Sequence, residues 1–240
     1  MRILLVSDLH YLLRQFDWVY DVAPDFDVVV LSGDLLSMRS PVPAPAQAAA
    51  VSALISRIAG RQRLLVASVN HDVTHRDPYG EKAAIWLTRT EADGLSVDGA
   101  SLLLDGTLFT VCPWWDGKRG RQELDARLGR DAEITKDRWV WVYHAPPSGS
   151  PLSFDGRREY GDEVVLEWIT RFAPDFVLSG HIHQSPFVEG GGWVDRVGST
   201  WVLNAGHEPA QVPSHIVLDL DAGTATWRSS EGEDSVSLAG

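Results

Sequence analysis

What most constrains this chain is the placement of its polar residues: five short apolar runs each end in side chains able to bind a metal. Ile3–Val6 leads into Ser7-Asp8-Leu9-His10, and Val28–Leu31 into Ser32-Gly33-Asp34. Leu64–Ala67 leads to Asn70-His71-Asp72, Trp139–Tyr143 to His144, and Phe176–Leu178 to Ser179-Gly180-His181-Ile182-His183. The runs are continuous rather than alternating, as expected of strands buried on both faces. In a parallel sheet all carboxyl ends lie along one edge, where ligands bind. Packing alone does not call for Asp, Asn and His at five such ends.

The stretches between the runs support an α/β fold with a largely parallel sheet. Pro45–Ala59 is Ala-rich, with Val51, Leu54, Ile55 and Ile58 at helical spacing. Glu81–Glu91 and Asp162–Phe172 also fit helices, and Gln122–Leu128 fits one less well. Six further strand-like runs, Ser101–Leu104, Thr107–Cys112, Trp193–Arg196, Thr200–Asn204, His215–Leu220 and Thr224–Arg228, suggest additional, partly antiparallel sheet. Asp105-Gly106 and Asp221-Ala222-Gly223 read as hairpin connections. Ser40–Ala46 is a Pro-rich surface loop. The whole chain, 1–240, reads as one domain whose polar tail after Arg228 frays.

The charge of −12 disfavours a large nucleic-acid footprint, since such a surface repels a phosphate backbone. Two divalent cations would reduce it to −8. One cysteine, Cys112, allows no intrachain disulfide, which suits the cytoplasm. No signal peptide is visible, and no apolar run approaches the ~20 residues of a membrane helix. Oligomeric state leaves no trace in the sequence.

Carboxylate oxygen, imidazole nitrogen and amide oxygen suit Mn, Fe or Zn. Two Asp and four His are too many for one tetrahedral ion, whereas two ions sharing Asp34 use them economically. Such a pair can clamp a phosphate and generate hydroxide from water.

The ordered set Asp8-Leu9-His10, Gly33-Asp34, Asn70-His71-Asp72, His144 and Gly180-His181-Ile182-His183 resembles the calcineurin-like metallophosphoesterase family. Asn204-Ala205-Gly206 is similar to the turn that often follows the last motif. The resemblance implies a four-layer α/β/β/α sandwich with two mixed sheets. It implies that Asp8, His10, Asp34 and His183 hold one metal, and Asp34, Asn70, His144 and His181 the other. Asn70, His71 and His144 would meet the substrate. A metal-bound hydroxide would attack a phosphate mono- or diester of a small molecule. His71 would protonate the leaving oxygen, with Asp72 orienting it. One position departs from the pattern: Val69 stands where the family has Gly. Glycine there permits a positive φ that a β-branched residue resists, so the change bears on where Asn70 and His71 sit.

Other residues have blander readings. Trp114 and Trp115 could wall a flat substrate group, although packing between sheet and loops is the commoner role. Arg157, Arg158, the Lys118–Arg121 cluster and His75 read as solvated. His215 reads as structural, and so does His207, with an approach to the rim as the alternative. Two other functions compete with a small-molecule phosphoesterase: a binding protein that keeps the fold without turnover, and a nuclease, which the charge disfavours.

Overall fold

In a computed structural model, which describes residues 1–238, the chain alternates strand and helix as the apolar runs require. The first half runs β1 (Arg2–Val6), α1 (Leu13–Val22), β2 (Val28–Leu31), α2 (Ala44–Ala59), β3 (Leu64–Val66), the small hairpin β4 (His75–Arg76) and β5 (Lys82–Ala83), α3 (Ile85–Thr88) and β6 (Leu95–Val97). It continues with β7 (Ser101–Leu104), β8 (Thr107–Val111), α4 (Lys118–Ala132), β9 (Arg138–Val142), α5 (Glu163–Phe172) and β10 (Phe176–Ser179). The last part is β11 (Val194–Val197), β12 (Thr200–Asn204), β13 (His215–Asp219), β14 (Thr224–Ser229) and β15 (Gly232–Ser237).

The five motif-bearing strands belong to two sheets. The first sheet has the order β15-β14-β13-β1-β2-β3-β6, and the second β11-β12-β10-β9-β8-β7. Within them β1, β2, β3 and β6 are parallel, as are β8, β9, β10 and β12. Antiparallel strands extend both sheets, so both are mixed.

Strand periodicity explains the layering. In β1 and β2, Ile3, Leu5, Val28 and Val30 face the second sheet, meeting a core that includes Phe109, Val140, Val142 and Leu178. Their alternates Leu4, Val6, Val29 and Leu31 face Phe16 and Val19 of α1 and Val51 and Ile55 of α2. On the far side, Trp139, Trp141 and Val177 pack on Leu124 and Leu128 of α4 and Val165, Trp168 and Ile169 of α5. The result is the expected α/β/β/α sandwich, and each run is apolar throughout because both of its faces are covered. No helix among the described residues is long and apolar enough to cross a membrane.

Three expectations are corrected. Glu81–Glu91 forms only the one-turn α3, because Lys82–Ala83 pairs as β5 and Glu81 is used elsewhere. The Glu81 carboxylate accepts the backbone N–H groups of Arg119 (2.9 Å) and Gly120 (2.8 Å), satisfying the first turn of α4. With that support α4 runs well beyond Gln122–Leu128 at both ends. Among the described residues the tail after Arg228 is paired rather than frayed: Thr224–Ser229 pairs with Gly232–Ser237. Buried Glu208 accepts from the Ser230 backbone N–H at 2.9 Å and pins that hairpin's turn.

Candidate metal centre

The loops after β1 and β2 are zipped together. Asp8 N–H donates to the Gly33 carbonyl, His10 N–H to the Asp34 carbonyl and Tyr11 N–H to the Leu35 carbonyl, at 2.8–2.9 Å. This ladder bends sharply, with φ 56° at Asp8, 42° at His10, 63° at Tyr11 and 52° at Asp34. Asp and His tolerate the left-handed region better than most residues, whereas Tyr11 is a true outlier. The bend turns both carboxylates toward the second sheet.

Gly33 has φ +106°, and a Cβ there would stand 2.0 Å from Val69 Cγ1 and 2.9 Å from His144 Nδ1. Val69 itself is buried and keeps a negative φ. The loop therefore reaches Asn70 without the conformation a glycine would allow, and the Val69 side chain fills the space beside Gly33.

From the second sheet, His144 is fixed through Nδ1, which lies 2.7 Å from the Ser32 carbonyl and so carries the proton. Its Nε2 then presents a lone pair 3.7 Å from Asp34 Oδ2 and 3.8 Å from Asp8 Oδ1. The His181 backbone N–H donates to Asp8 Oδ2 at 3.1 Å, joining the two sheets. Gly180 permits that approach, since a Cβ there would lie 2.5 Å from the same oxygen. The buried Asn204 amide locks the His181–His183 turn by donating to the Ile182 carbonyl at 3.0 Å.

Ligand atoms of Asp8, His10, Asp34 and His183 all lie within 4.8 Å of one another. His183 Nε2 is 3.1 Å from Asp8 Oδ1 and 2.9 Å from His10 Nε2, and His10 Nε2 is 3.6 Å from Asp34 Oδ2. Beside them is His144, with its ring 5.0 Å from that of His181, and Asn70 adjoins His71 in the chain. Four atoms here are buried without a hydrogen-bond partner: Asp34 Oδ1, Asn70 Oδ1, His71 Nδ1 and His144 Nε2. Buried polar atoms are rarely left this way, and a cation would satisfy the lone pairs. The donor set fits divalent metal.

Electrostatics agree with that fit. Burial opposes ionisation of Asp8, but the surrounding His144, His183 and His10 hold its carboxyl well below the usual range. Burial and then the neighbouring charges of Asp8 and Asp72 push Asp34 well above its ordinary value. Burial lowers His144 to about 3 and His10 to about 4, leaving both neutral with lone pairs available. Such a cluster carries an unmet demand for positive charge.

Asp72 does not serve as the expected partner of His71. Its Oδ1 accepts the backbone N–H groups of Leu35 and Leu36 at 2.9 Å each, which braces the loop after Asp34. The carboxylate beside His71 is Asp34, with Nδ1–Oδ2 at 3.4 Å. His207 does reach the rim, with its ring 5.1 Å from His10 and 4.9 Å from His183. It lines a cavity of about 780 Å3 with His10, His71, His183 and Arg39. Nothing in the sequence around Arg39 marked it; the turn after Asp34 brings it there. His75 is exposed, and His215 lies in the fold with Nδ1 2.9 Å from the Pro213 carbonyl.

The protein is thus a four-layer sandwich with an acid–imidazole cluster at facing strand ends. The chain belongs to the calcineurin-like phosphoesterase family, whose model matches residues 1–185. Comparison with curated proteins gives no match. Among solved structures, one at 14% identity covers 99% of both chains with a TM-score of 0.63. Purple acid phosphatase PPD1 from yellow lupin (Lupinus luteus) seeds is also 14% identical, with a TM-score of 0.61 over 99% of this chain and 53% of that one. These two likenesses show the fold alone. Yfce, a phosphoesterase from E. coli, is 14% identical over 99% of this chain and 100% of that one, with a TM-score of 0.48.

Proposed function

We propose that this protein hydrolyses a phosphate mono- or diester of a small molecule, using two divalent cations drawn from Mn, Fe and Zn. The carrying observation is the convergence of unpartnered ligand atoms from β2, β3 and β9 beside the Asp8–His10–Asp34–His183 cluster. Asp8, His10, Asp34 and His183 would hold one ion; Asp34, Asn70, His144 and His181 would hold the other. Bound there, divalent ions supply Lewis acidity that activates water and offsets charge on the phosphoryl group.

The chain's own residues do the positioning. Ser32 fixes the His144 tautomer, and the His181 N–H steadies Asp8. His71, partly open to the cavity and beside Asp34, would give a proton to the leaving oxygen. Burial lowers the pKa of its imidazole, and the negative charge of a bound phosphate would raise it. The buried Cys112 thiol, whose pKa burial pushes up, is inert and suits work in the cytoplasm.

Elemental analysis after loading, together with hydrolysis of an aryl phosphate monoester and diester under added Mn, Fe or Zn, tests the reading. Two ions per chain and metal-dependent turnover are expected. Asp34→Ala should reduce turnover more than about 100-fold, beyond what loss of a supporting contact to a ligand costs. Metal bound without turnover would make the chain a binding protein instead.

A further inference from the structure

Two of the cavities beside the candidate centre have opposite chemistry. The larger, described above, has Arg39 among its imidazoles. The other, about 510 Å3, is reached past His181 and is walled by Trp114, Trp115 and Tyr160. The Trp114 ring lies 6.4 Å from that of His181, tilted by 47°. Its charged lining groups, Asp116, Asp162 and Glu163, are all acidic.

The aromatic wall is held rigidly. Asp116 accepts from the Lys82 backbone N–H at 3.2 Å, and Glu81 holds the adjoining start of α4. Asp162 caps α5 by accepting from Val164 N–H at 2.8 Å and also accepts from the Tyr143 hydroxyl at 3.1 Å. The indoles of Trp114 and Trp115 rest against the core beneath the second sheet, while Tyr160 stands about half exposed at the mouth. Rigid aromatic faces at a cavity shared with His181 suit a flat ring joined to the phosphate; Lys82 Nζ lies 3.9 Å from Asp116, and the carboxylates of Asp162 and Glu163 repel a second anion.

We propose that the cavity between Trp114, Trp115 and Tyr160 is the subsite for the esterified group of the substrate, and that it selects a planar, uncharged or cationic ring. This rests on the phosphoesterase reading and adds the class of ester. Polyphosphates and esters of anionic alcohols are disfavoured; a single phosphate on an aryl or heteroaromatic group is favoured.

The test is calorimetric binding to the manganese-loaded full chain, comparing phenylphosphonate with cyclohexylphosphonate, which is similar in size but not flat. Phenylphosphonate should bind about fivefold more tightly, the scale of one aromatic contact. Trp114→Leu should bring the ratio to about one, while Trp114→Phe should keep most of it. Should Trp114→Leu not fold, Tyr160→Ala, at an exposed position, must lower the ratio. A carboxylate on the phenyl ring should weaken binding. Equal affinity for the two phosphonates in the unmodified protein, or a ratio that survives both Trp114→Leu and Tyr160→Ala, overturns the subsite alone. Failure of both phosphonates to bind overturns the subsite and the phosphoesterase reading together.

Discussion

The two sheets contribute unlike halves to the centre. The first sheet delivers both carboxylates and one imidazole, Asp8, Asp34 and His10, on loops with repeated left-handed residues. The second delivers His144, His181 and His183 from strand ends with one such residue, His181. A carboxylate pair is self-repelling and needs a bent backbone to aim both groups inward, and the same bend carries His10, whereas His144 on the second sheet needs only one fixed nitrogen. Strain therefore collects on the acidic side. Neither half is a site until the sandwich closes, and the contacts that close it (Gly33 under His144, and Asp8 against the His181 N–H) cross from one sheet to the other.

The sharpest way to break this picture is to wedge the halves apart. Gly33→Ala adds a Cβ 2.0 Å from Val69 Cγ1 and 2.9 Å from His144 Nδ1, at φ +106°. A loss of more than about 3 kcal/mol is expected, read from denaturant midpoints, with loss of metal uptake. Adding Val69→Gly removes one of the two collisions, so the double variant should recover part of the metal uptake and none of the backbone strain. If Gly33→Ala binds metal normally, the two halves are not packed as described.

The bracing contacts should rank next, on the first sheet before the second. Asp72→Ala strands the Leu35 and Leu36 N–H groups, which should cost about 2–3 kcal/mol in thermal or denaturant melts. Asp72→Asn keeps an acceptor and removes the charge. Burial raises Asp72 to about 7 from an ordinary value near 3.8. The folded state therefore holds a proton that the unfolded state releases, and stability falls as pH rises from about 4 to about 7. In metal-free protein Asp72→Asn should gain on the parent across that window and match it below pH 4. On the second sheet, Asn204→Ala frees the Ile182 carbonyl and should cost about 1–2 kcal/mol, with weaker metal retention read by chelator competition.

The same asymmetry decides what could be read from the sequence. Ligands placed directly after strands were legible, because a continuous apolar run followed by Asp or His states both a position and a chemistry. The division into two sheets was not, since the runs look alike whichever sheet they join; only the family resemblance supplied it. Helix α1 was missed: its apolar pattern is broken by Gln15, buried because its amide donates to the Glu208 and Ala210 carbonyls. Strand β15 is polar and exposed, an edge that pairing and Glu208 hold without burial. Asp72 sits beside His71 in the chain, yet a tight turn sends its side chain to Leu35 and Leu36. Arg39 and His207 reach the rim by loop geometry, which no local spacing records.

The smallest expected effect separates functional strain from incidental strain. Ala173 ends α5 with φ 47°, its N–H donating to the Ile169 carbonyl at 2.9 Å. It leads into the amino end of β10, whereas His181 and His183 follow the carboxyl end. A left-handed alanine costs roughly 1–2 kcal/mol, and glycine relieves this at the expense of a more flexible unfolded chain. Ala173→Gly should therefore stabilise by about 0.5–1 kcal/mol, raise the thermal midpoint by a few degrees and leave metal content unchanged. At Asp34, by contrast, glycine would relieve the same backbone region and remove a carboxylate of the candidate metal cluster. If relaxing Ala173 altered metal binding as Asp34→Ala does, the left-handed residues of the first sheet could no longer be set apart as the ones tied to the centre.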